Sequence, residues 1–286
     1  MVLRARLTCR VSYRPTTLSN ESTIAWPGPM IDAYTHCGLS KYEPVETVWQ
    51  VMSAAGVERG VLVQHLGNFD NDYIEQVVGA EPDRFVGVAL VDGSAQNWPE
   101  ELAAVASSSS FSALRLTDEA IRENPELPIA ACELGLDLVL YLPTGVASIR
   151  SELVGLASAV IDRLVVITHL GCPQLTDGEV VAGWELLELA DLPNIMVTLS
   201  GLSMYCSPPH WPLEEFVTRT IETFTSKRLM WGSNFPVCGG SDSYRSDLEL
   251  VLGGRWGLSA GQIAEITEQT ADRVFFSLGR SGETPV

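Results

Sequence analysis

The apolar residues of this chain gather in eight short, nearly unbroken runs, each followed by a stretch of helical spacing. The runs are MIDAYTH from Met30, GVLVQHL from Gly60, RFVGVALVD from Arg84, FSALRLT from Phe111, DLVLYLP from Asp137, LVVITHLG from Leu164, NIMVTLSG from Asn194 and RLMWGSN from Arg228. A strand with one wet face alternates apolar and polar residues. A continuous apolar run belongs instead to a parallel sheet covered on both faces. Between the runs the spacing predicts helices over 44–56, 71–80, 98–107, 125–135, 146–162, 179–191 and 212–225, with two or three more closing the chain. Gly56 and Gly135 supply stop signals for two of them, and Pro82 follows a third.

Eight strand–helix units in about 250 residues predict a (β/α)8 TIM-type barrel, an α/β fold in one domain over residues 30–286. The alternative is an open doubly wound sheet. It would require a glycine-rich phosphate turn after the first strand, and the turn found there, HCGLSKYEP, has no such pattern. Residues 1–29 read as an irregular N-terminal extension. They carry Arg4, Arg6, Arg10 and Arg14 against one acid, Glu21. A basic, Ser/Thr-rich start also fits a mitochondrial presequence; the plainer reading is an extension, or a start codon placed too early, ahead of Met30.

Composition narrows the function classes. The chain has 286 residues, 46% of them hydrophobic, which is enough for a large core. Its formal charge of −18 argues against nucleic acid and against an anionic membrane surface. No apolar run reaches the ~18 residues a spanning helix needs. The six cysteines are dispersed without a paired spacing, which reads as reduced thiols in a cytoplasmic protein. The expected partner is a small molecule, and nothing in the composition decides for or against a homo-oligomer.

Three of the four histidines close a predicted strand: His36, His65 and His169. The C-terminal ends of barrel strands are where this architecture does chemistry. The other polar residues there are Asp32 and Tyr34, Gln64, Asp92, Arg115, Tyr141, Ser200, Ser233 and Asn234. Period-2 alternation places Tyr34 and His36 on one inward face, with Asp32 two steps deeper as a buried acceptor. His210 falls in the loop after the seventh run, beside Trp211. Cys37 and Cys172 each lie close after a strand-end histidine and read as packing residues.

These motifs resemble the amidohydrolase-related family of barrel hydrolases. The family's I-D-x-H-x-H is matched by Ile31 to His36 except at Tyr34. P-D-R-F-x-G-V-A is matched by Pro82 to Ala89, H-x-G-x-P by His169, Gly171 and Pro173, and N-x-x-x-x-x-S-G by Asn194 to Gly201. M-x-G-S-D-x-P is matched by Met230 to Pro236 except at Asn234. In metal-using members the two first-strand histidines, a later histidine and the final aspartate hold a divalent ion, and that aspartate takes the proton of the attacking water. With Tyr34 and Asn234 in two of those places, only His36 and His169 remain as strong ligands, so the expected cofactor is none, the alternative being one divalent metal such as zinc. The resemblance is nearest to the branch of 2-pyrone-4,6-dicarboxylate lactonase and the sugar lactonases, through Gly232 to Pro236 and through Arg115, which resembles that branch's carboxylate-binding arginine.

The implied activity is hydrolysis of a small cyclic ester, with a metal-assisted decarboxylase or a non-catalytic binding relative as alternatives. Ester hydrolysis needs a base, an oxyanion donor and an acid for the leaving alkoxide. His169 is the expected base, Tyr34 and His36 the expected donors, and Asn234 an orienting amide. Arg115 is the expected anion clamp, with Tyr141, His65, Ser200 and Trp211 as further substrate-binding residues. Tyr34 has a competing role as filler of the vacated metal cavity, and Arg115 as a structural partner of Asp92 or Glu119. The loops after the strands offer Tyr42, Phe69, Tyr205, Trp211 and Tyr244, which suggests a ring-bearing substrate.

Overall fold

A computed structural model describes residues 28–277, so nearly all of the expected 1–29 extension lies outside the described residues. The strands are β1 (Ile31–Thr35), β2 (Arg59–Val63), β3 (Phe85–Ala89), β4 (Phe111–Thr117), β5 (Asp137–Tyr141), β6 (Val165–Ile167), β7 (Gln174–Thr176), β8 (Glu179–Ala182), β9 (Ile195–Leu199) and β10 (Leu229–Trp231). Eight of them form one parallel sheet in the order β1-β2-β3-β4-β5-β6-β9-β10. The two edge strands approach each other and close the (β/α)8 barrel just past their ends. There Asn234 N–H donates to the Tyr34 carbonyl at 2.8 Å and His36 N–H to the Phe235 carbonyl at 2.9 Å. Gly232 permits this closure, since a Cβ there would meet the Tyr34 Cβ at 2.8 Å.

Helices fill the crossovers much as the spacing predicts, and Trp98–Ser107 coincides with its expected range. Two segments differ. The sixth crossover does not run as one helix over 179–191: β7 and β8 form an antiparallel hairpin, and only Trp184–Asp191 is helical, as a 3-10 turn. Asp177 and Gly178 make the hairpin turn with φ of 53° and 81°, the left-handed pair that a tight two-residue connection requires. A short helix, Asp118–Glu123, follows β4 directly, because the Thr117 hydroxyl accepts the Ala120 N–H at 3.1 Å and caps it.

The core has two shells. Ile31, Val61, Val88, Val139, Val166 and Met230 fill the barrel interior. Outside the sheet, Val48, Met52, Leu102, Phe216 and Phe224 seal helices onto it, each contributing about 1.5–3 kcal/mol on burial. At the N-terminal end of the strands, Ala271, Val274 and Phe275 join the interior cluster and Asp272 bonds Arg59 at 2.5 Å, so that end is plugged. The opposite mouth is lined by His36, Arg115, His169 and Asn234. No helix among the described residues is long and apolar enough to cross a membrane.

Candidate active site

The first strand does not keep strict alternation. Its register against β2 shifts between Asp32 and Thr35, a bulge that brings both Ala33 and Tyr34 into the interior cluster. Asp32 therefore does not share the inward face expected for it. Its carboxylate accepts the Ser233 hydroxyl at 2.5 Å, the Ser233 N–H at 2.9 Å and the Tyr34 N–H at 3.1 Å, so it ties β1 to the exit of β10. Burial pushes its carboxyl up to about 6, against the pull of those hydrogen bonds.

His36 and His169 reach the mouth, where they line one cleft with Arg115, Tyr141, Asn234 and Lys41, about 460 Å³ counted with its open entrance. His36 Nδ1 lies 2.6 Å from the Val63 carbonyl. A carbonyl only accepts, so Nδ1 carries the hydrogen and a neutral His36 has only a lone pair on Nε2. The expectation that His36 donates to the substrate is thereby corrected: it accepts. His169 Nδ1 lies 2.8 Å from the Ser200 hydroxyl, which in turn lies 2.7 Å from the Thr198 hydroxyl. Hydroxyls give or accept, so His169 can present either an N–H or a lone pair on Nε2. Ser200 thus serves the site by holding His169 and is absent from the cleft wall. His169 sits at φ 54°, a left-handed strain of ~1–3 kcal/mol for a residue with a Cβ. Its N–H is held at 3.2 Å by both hydroxyls, and its carbonyl accepts from Tyr205 at 3.0 Å.

Tyr34 is fully buried and packs edge-on against both imidazoles, 5.1 Å from His36 and 4.7 Å from His169 between ring centroids. It lies beneath the cleft floor, and its hydroxyl has no protein partner. Burial pushes the phenol up to about 12, with Arg115 pulling the other way. Arg115 is buried, donates to the Gln64 carbonyl at 2.5 Å and leaves Nε without a partner. Its guanidinium stands over the Tyr34 and Tyr141 rings at 5.8 and 5.6 Å. Neither Asp92 nor Glu119 pairs with it; the Asp92 carboxylate holds Ser94 instead. Burial first, and Arg115 second, push both histidines down, His169 to about 3 and His36 well below the usual imidazole range. At neutral pH the floor is two uncharged rings under one cation.

The remaining predicted residues divide. Asn234 lines the cleft at φ 54°, its amide donating to Met204 Sδ at 3.4 Å and Cys238 Sγ at 3.3 Å. His65 sits behind Tyr42, 5.2 Å between rings, and Tyr42 stacks on His36 at 5.0 Å, so His65 buttresses the wall rather than forming it. Gln64 is structural, with its amide on the Asp70 carbonyl at 2.7 Å. Trp211 is not brought to the cleft; it is 57% exposed and stacks on Arg255 at 4.1 Å. His210 is buried on Asp247. Burial pushes the Cys37 thiol up to about 12 and raises Cys172 too, which suits packing and not nucleophilic attack. Sequence reasoning missed Lys41, Leu66, Met204 and Val237 in the cleft. Lys41 had a signal, as the one cation in the first loop of a strongly acidic chain.

As a ligand set for a dication this arrangement is poor. A phenol ring packs against both imidazoles, an amide stands where a carboxylate ligand would be needed, and a guanidinium stands beside them. No three His, Cys, Asp or Glu side chains converge as a metal site among the described residues.

The amidohydrolase family model matches residues 47–276. The chain belongs to the amidohydrolase family. This amidohydrolase is 30% identical over 233 residues to an L-fucono-1,5-lactonase of Burkholderia ambifaria, covering 74% of each chain. Among solved structures it resembles a Pseudomonas putida protein described as a 2-pyrone-4,6-dicarboxylic acid hydrolase, with TM-score 0.71 and 23% identity over 86% of this chain and 96% of that one. A Burkholderia multivorans amidohydrolase with bound zinc gives TM-score 0.68 and 20% identity over 86% and 99%. The two structural likenesses establish the barrel.

Proposed function

We propose that this amidohydrolase hydrolyses a small lactone carrying an anionic group, without a tightly bound divalent metal. The observation that carries the reading is the Tyr34 ring packed edge-on against both His36 and His169 under Arg115. A phenol and a guanidinium beside the two imidazoles, in place of anionic ligands, support a site that works by proton transfer and hydrogen bonding. The curated lactonase relative supports the ester class. The charged residues lining the cleft are Lys41 and Arg115, both cations, in a chain of net charge −18; this supports an anionic substituent on the ring.

Arg115 binds that substituent through the N–H groups not given to Gln64 and sets the ring against the floor. His36 Nε2, an acceptor by construction, takes the proton of the attacking water. The Tyr34 hydroxyl, buried and without a protein partner in the empty cleft, comes within reach of the carbonyl oxygen only as the bound ring displaces the floor, and donates to it as charge develops. The imidazolium formed at His36 returns that proton to the leaving alkoxide, while neutral His169, its Nδ1 accepting from the Ser200 hydroxyl, donates a hydrogen bond from Nε2 to the ring oxygen. This moves the base role expected of His169 to His36 and leaves His169 as a hydrogen-bond donor. The free thiols of the described cysteines fit the cytoplasm.

The test is a panel of L-fucono-1,5-lactone, 2-pyrone-4,6-dicarboxylate and δ-valerolactone, each assayed with and without chelator. Turnover of a lactone, fastest for a carboxylated one and indifferent to chelator, supports the reading. Inertness towards all three, or activity lost to chelator and restored by zinc, overturns it.

A further inference from the structure

The loop after β9 carries a buried pair that the reaction above does not use. His210 is 1% exposed, and its ring bridges two acceptors: Nε2 lies 2.9 Å from the Asp247 carboxylate and Nδ1 lies 2.8 Å from the Cys206 carbonyl. A carbonyl only accepts, so Nδ1 carries a hydrogen, and Nε2 shares a second hydrogen with the Asp247 carboxyl group. Asp247 belongs to the helix Ser241–Leu252, which follows β10, whereas His210 and Cys206 belong to the excursion between β9 and the helix Glu214–Phe224. The pair therefore clamps one mouth loop onto the adjacent barrel unit.

The clamped segment leads directly to the reacting groups. Tyr205, next to Cys206, donates its hydroxyl to the His169 carbonyl at 3.0 Å, and Met204 accepts from the Asn234 amide at 3.4 Å. His169 is the residue whose backbone is strained at φ 54° and whose ring must keep its angle to the Tyr34 edge. A strained conformation persists only where its surroundings over-determine it, and Tyr205 is one of the ties that do so.

We propose that His210 and Asp247 are positioning residues, a buried hydrogen-bonded latch that holds His169 in its reacting geometry through Cys206 and Tyr205. What His169 does chemically rests on the lactone-hydrolase reading; that the latch orients it does not.

The test uses the full chain with 15N-labelled histidine, three single variants, Asp247→Ala, Asp247→Asn and Tyr205→Phe, and one double variant. In the wild type, His210 shows a hydrogen on Nδ1 and a hydrogen-bonded Nε2. In Asp247→Ala and in Tyr205→Phe the His169 ring resonances move while those of His36 stay. Asp247→Asn, whose amide oxygen still accepts, lies closer to wild type. On whichever lactone the wild type turns over, kcat falls about tenfold, ~1.4 kcal/mol, in each of the two disruptive variants with KM little changed. The double variant Tyr205→Phe/Asp247→Ala loses no more than the worse single one, because both act through the same tie. Undisturbed His169 resonances in folded Asp247→Ala overturn the proposal, as do kcat losses that multiply in the double variant. If Asp247→Ala does not fold, unmoved His169 signals in Tyr205→Phe overturn it equally. A wild type inert towards every lactone counts against the lactone reading alone, and the resonances still decide the latch.

Discussion

Tyr34→Phe separates the two roles open to this residue, because stability and activity should move in opposite directions. The tyrosine side chain is wholly buried, its ring packs on two imidazoles, and its hydroxyl has no protein partner. Phenylalanine keeps the ring, so the packing against His36 and His169 survives. What leaves is a buried, unsatisfied hydroxyl, whose desolvation costs ~1–3 kcal/mol. Removing it should raise the melting temperature by roughly 2–4 °C per kcal/mol for a chain of this size. If the hydroxyl donates to the oxyanion, its loss should lower kcat by ~10²–10³-fold, the usual cost of one such donor. Calorimetry and steady-state kinetics on the best lactone of the panel measure both. A more stable variant with wild-type kcat would show that Tyr34 only fills the space between the imidazoles. A less stable one would show that the hydroxyl has a partner in the folded protein.

Three further outcomes follow from the geometry. Gly201→Ala should cost far more activity than Gly178→Ala: both glycines sit at positive φ, 68° and 81°, but a Cβ at 201 would meet His169 Nδ1 at 2.7 Å whereas at 178 it meets nothing. Equal kcat in the two variants would remove the Ser200–His169 contact from the account. Arg115→Lys keeps the charge but loses the planar fork, so KM for a carboxylated lactone should rise roughly tenfold to a hundredfold, from charged hydrogen bonds worth ~1.5–3 kcal/mol, while a neutral lactone is spared. An equal effect on both lactones would refute the clamp. In the folded state His169 is held near 3, below its ordinary 6.5. The unfolded chain thus binds a proton that the folded chain refuses, and the stabilisation is full above pH 6.5 and lost as pH falls towards 3. The buried carboxyls of Asp32 and Asp137, raised to about 6, act in the opposite sense over pH 4–6. The comparison to make is therefore between wild type and His169→Gln, whose melting temperature should decline less steeply from pH 6.5 to 4.

The barrel was legible because its evidence is local and repeated: each buried strand is an apolar run, and a stretch of helical spacing follows it, three of them closed by Gly56, Pro82 and Gly135. His36 and His169 were legible for the same reason, since closing a parallel strand puts a residue at the mouth. What alternation could not show was the bulge in β1, because register depends on the neighbouring strand; it sent Asp32 to Ser233 and brought Ala33 inward beside Tyr34. The β7–β8 hairpin did leave a signal, the Asp177–Gly178 dipeptide, which the helical spacing of 179–191 masked. Trp211 and His210 were neighbours in a loop with no period to orient them, and the fold sent one to solvent and the other to Asp247. Hydrogen-bond direction was out of reach altogether: only the Val63 carbonyl on His36 Nδ1 makes that ring an acceptor.

That polarity also bears on how an imidazole held so far below its ordinary range can serve as a base. Burial is the larger cause for both histidines, and the Arg115 cation is the second. Burial persists when the cleft fills, but the guanidinium's push does not. A carboxylate seated on Arg115 offsets its charge inside a low-dielectric pocket, where such interactions are felt strongly. His36 and His169 then become more basic when an anionic substrate is in place, and they stay neutral and unprotonated while the cleft is empty. A metal-centred site activates its water whether or not substrate is present. On the proposed reading, a floor of two neutral rings, one phenol and one guanidinium would instead tie its basicity to the charge of what it binds, so discrimination for an anionic ring would enter through kcat as well as KM.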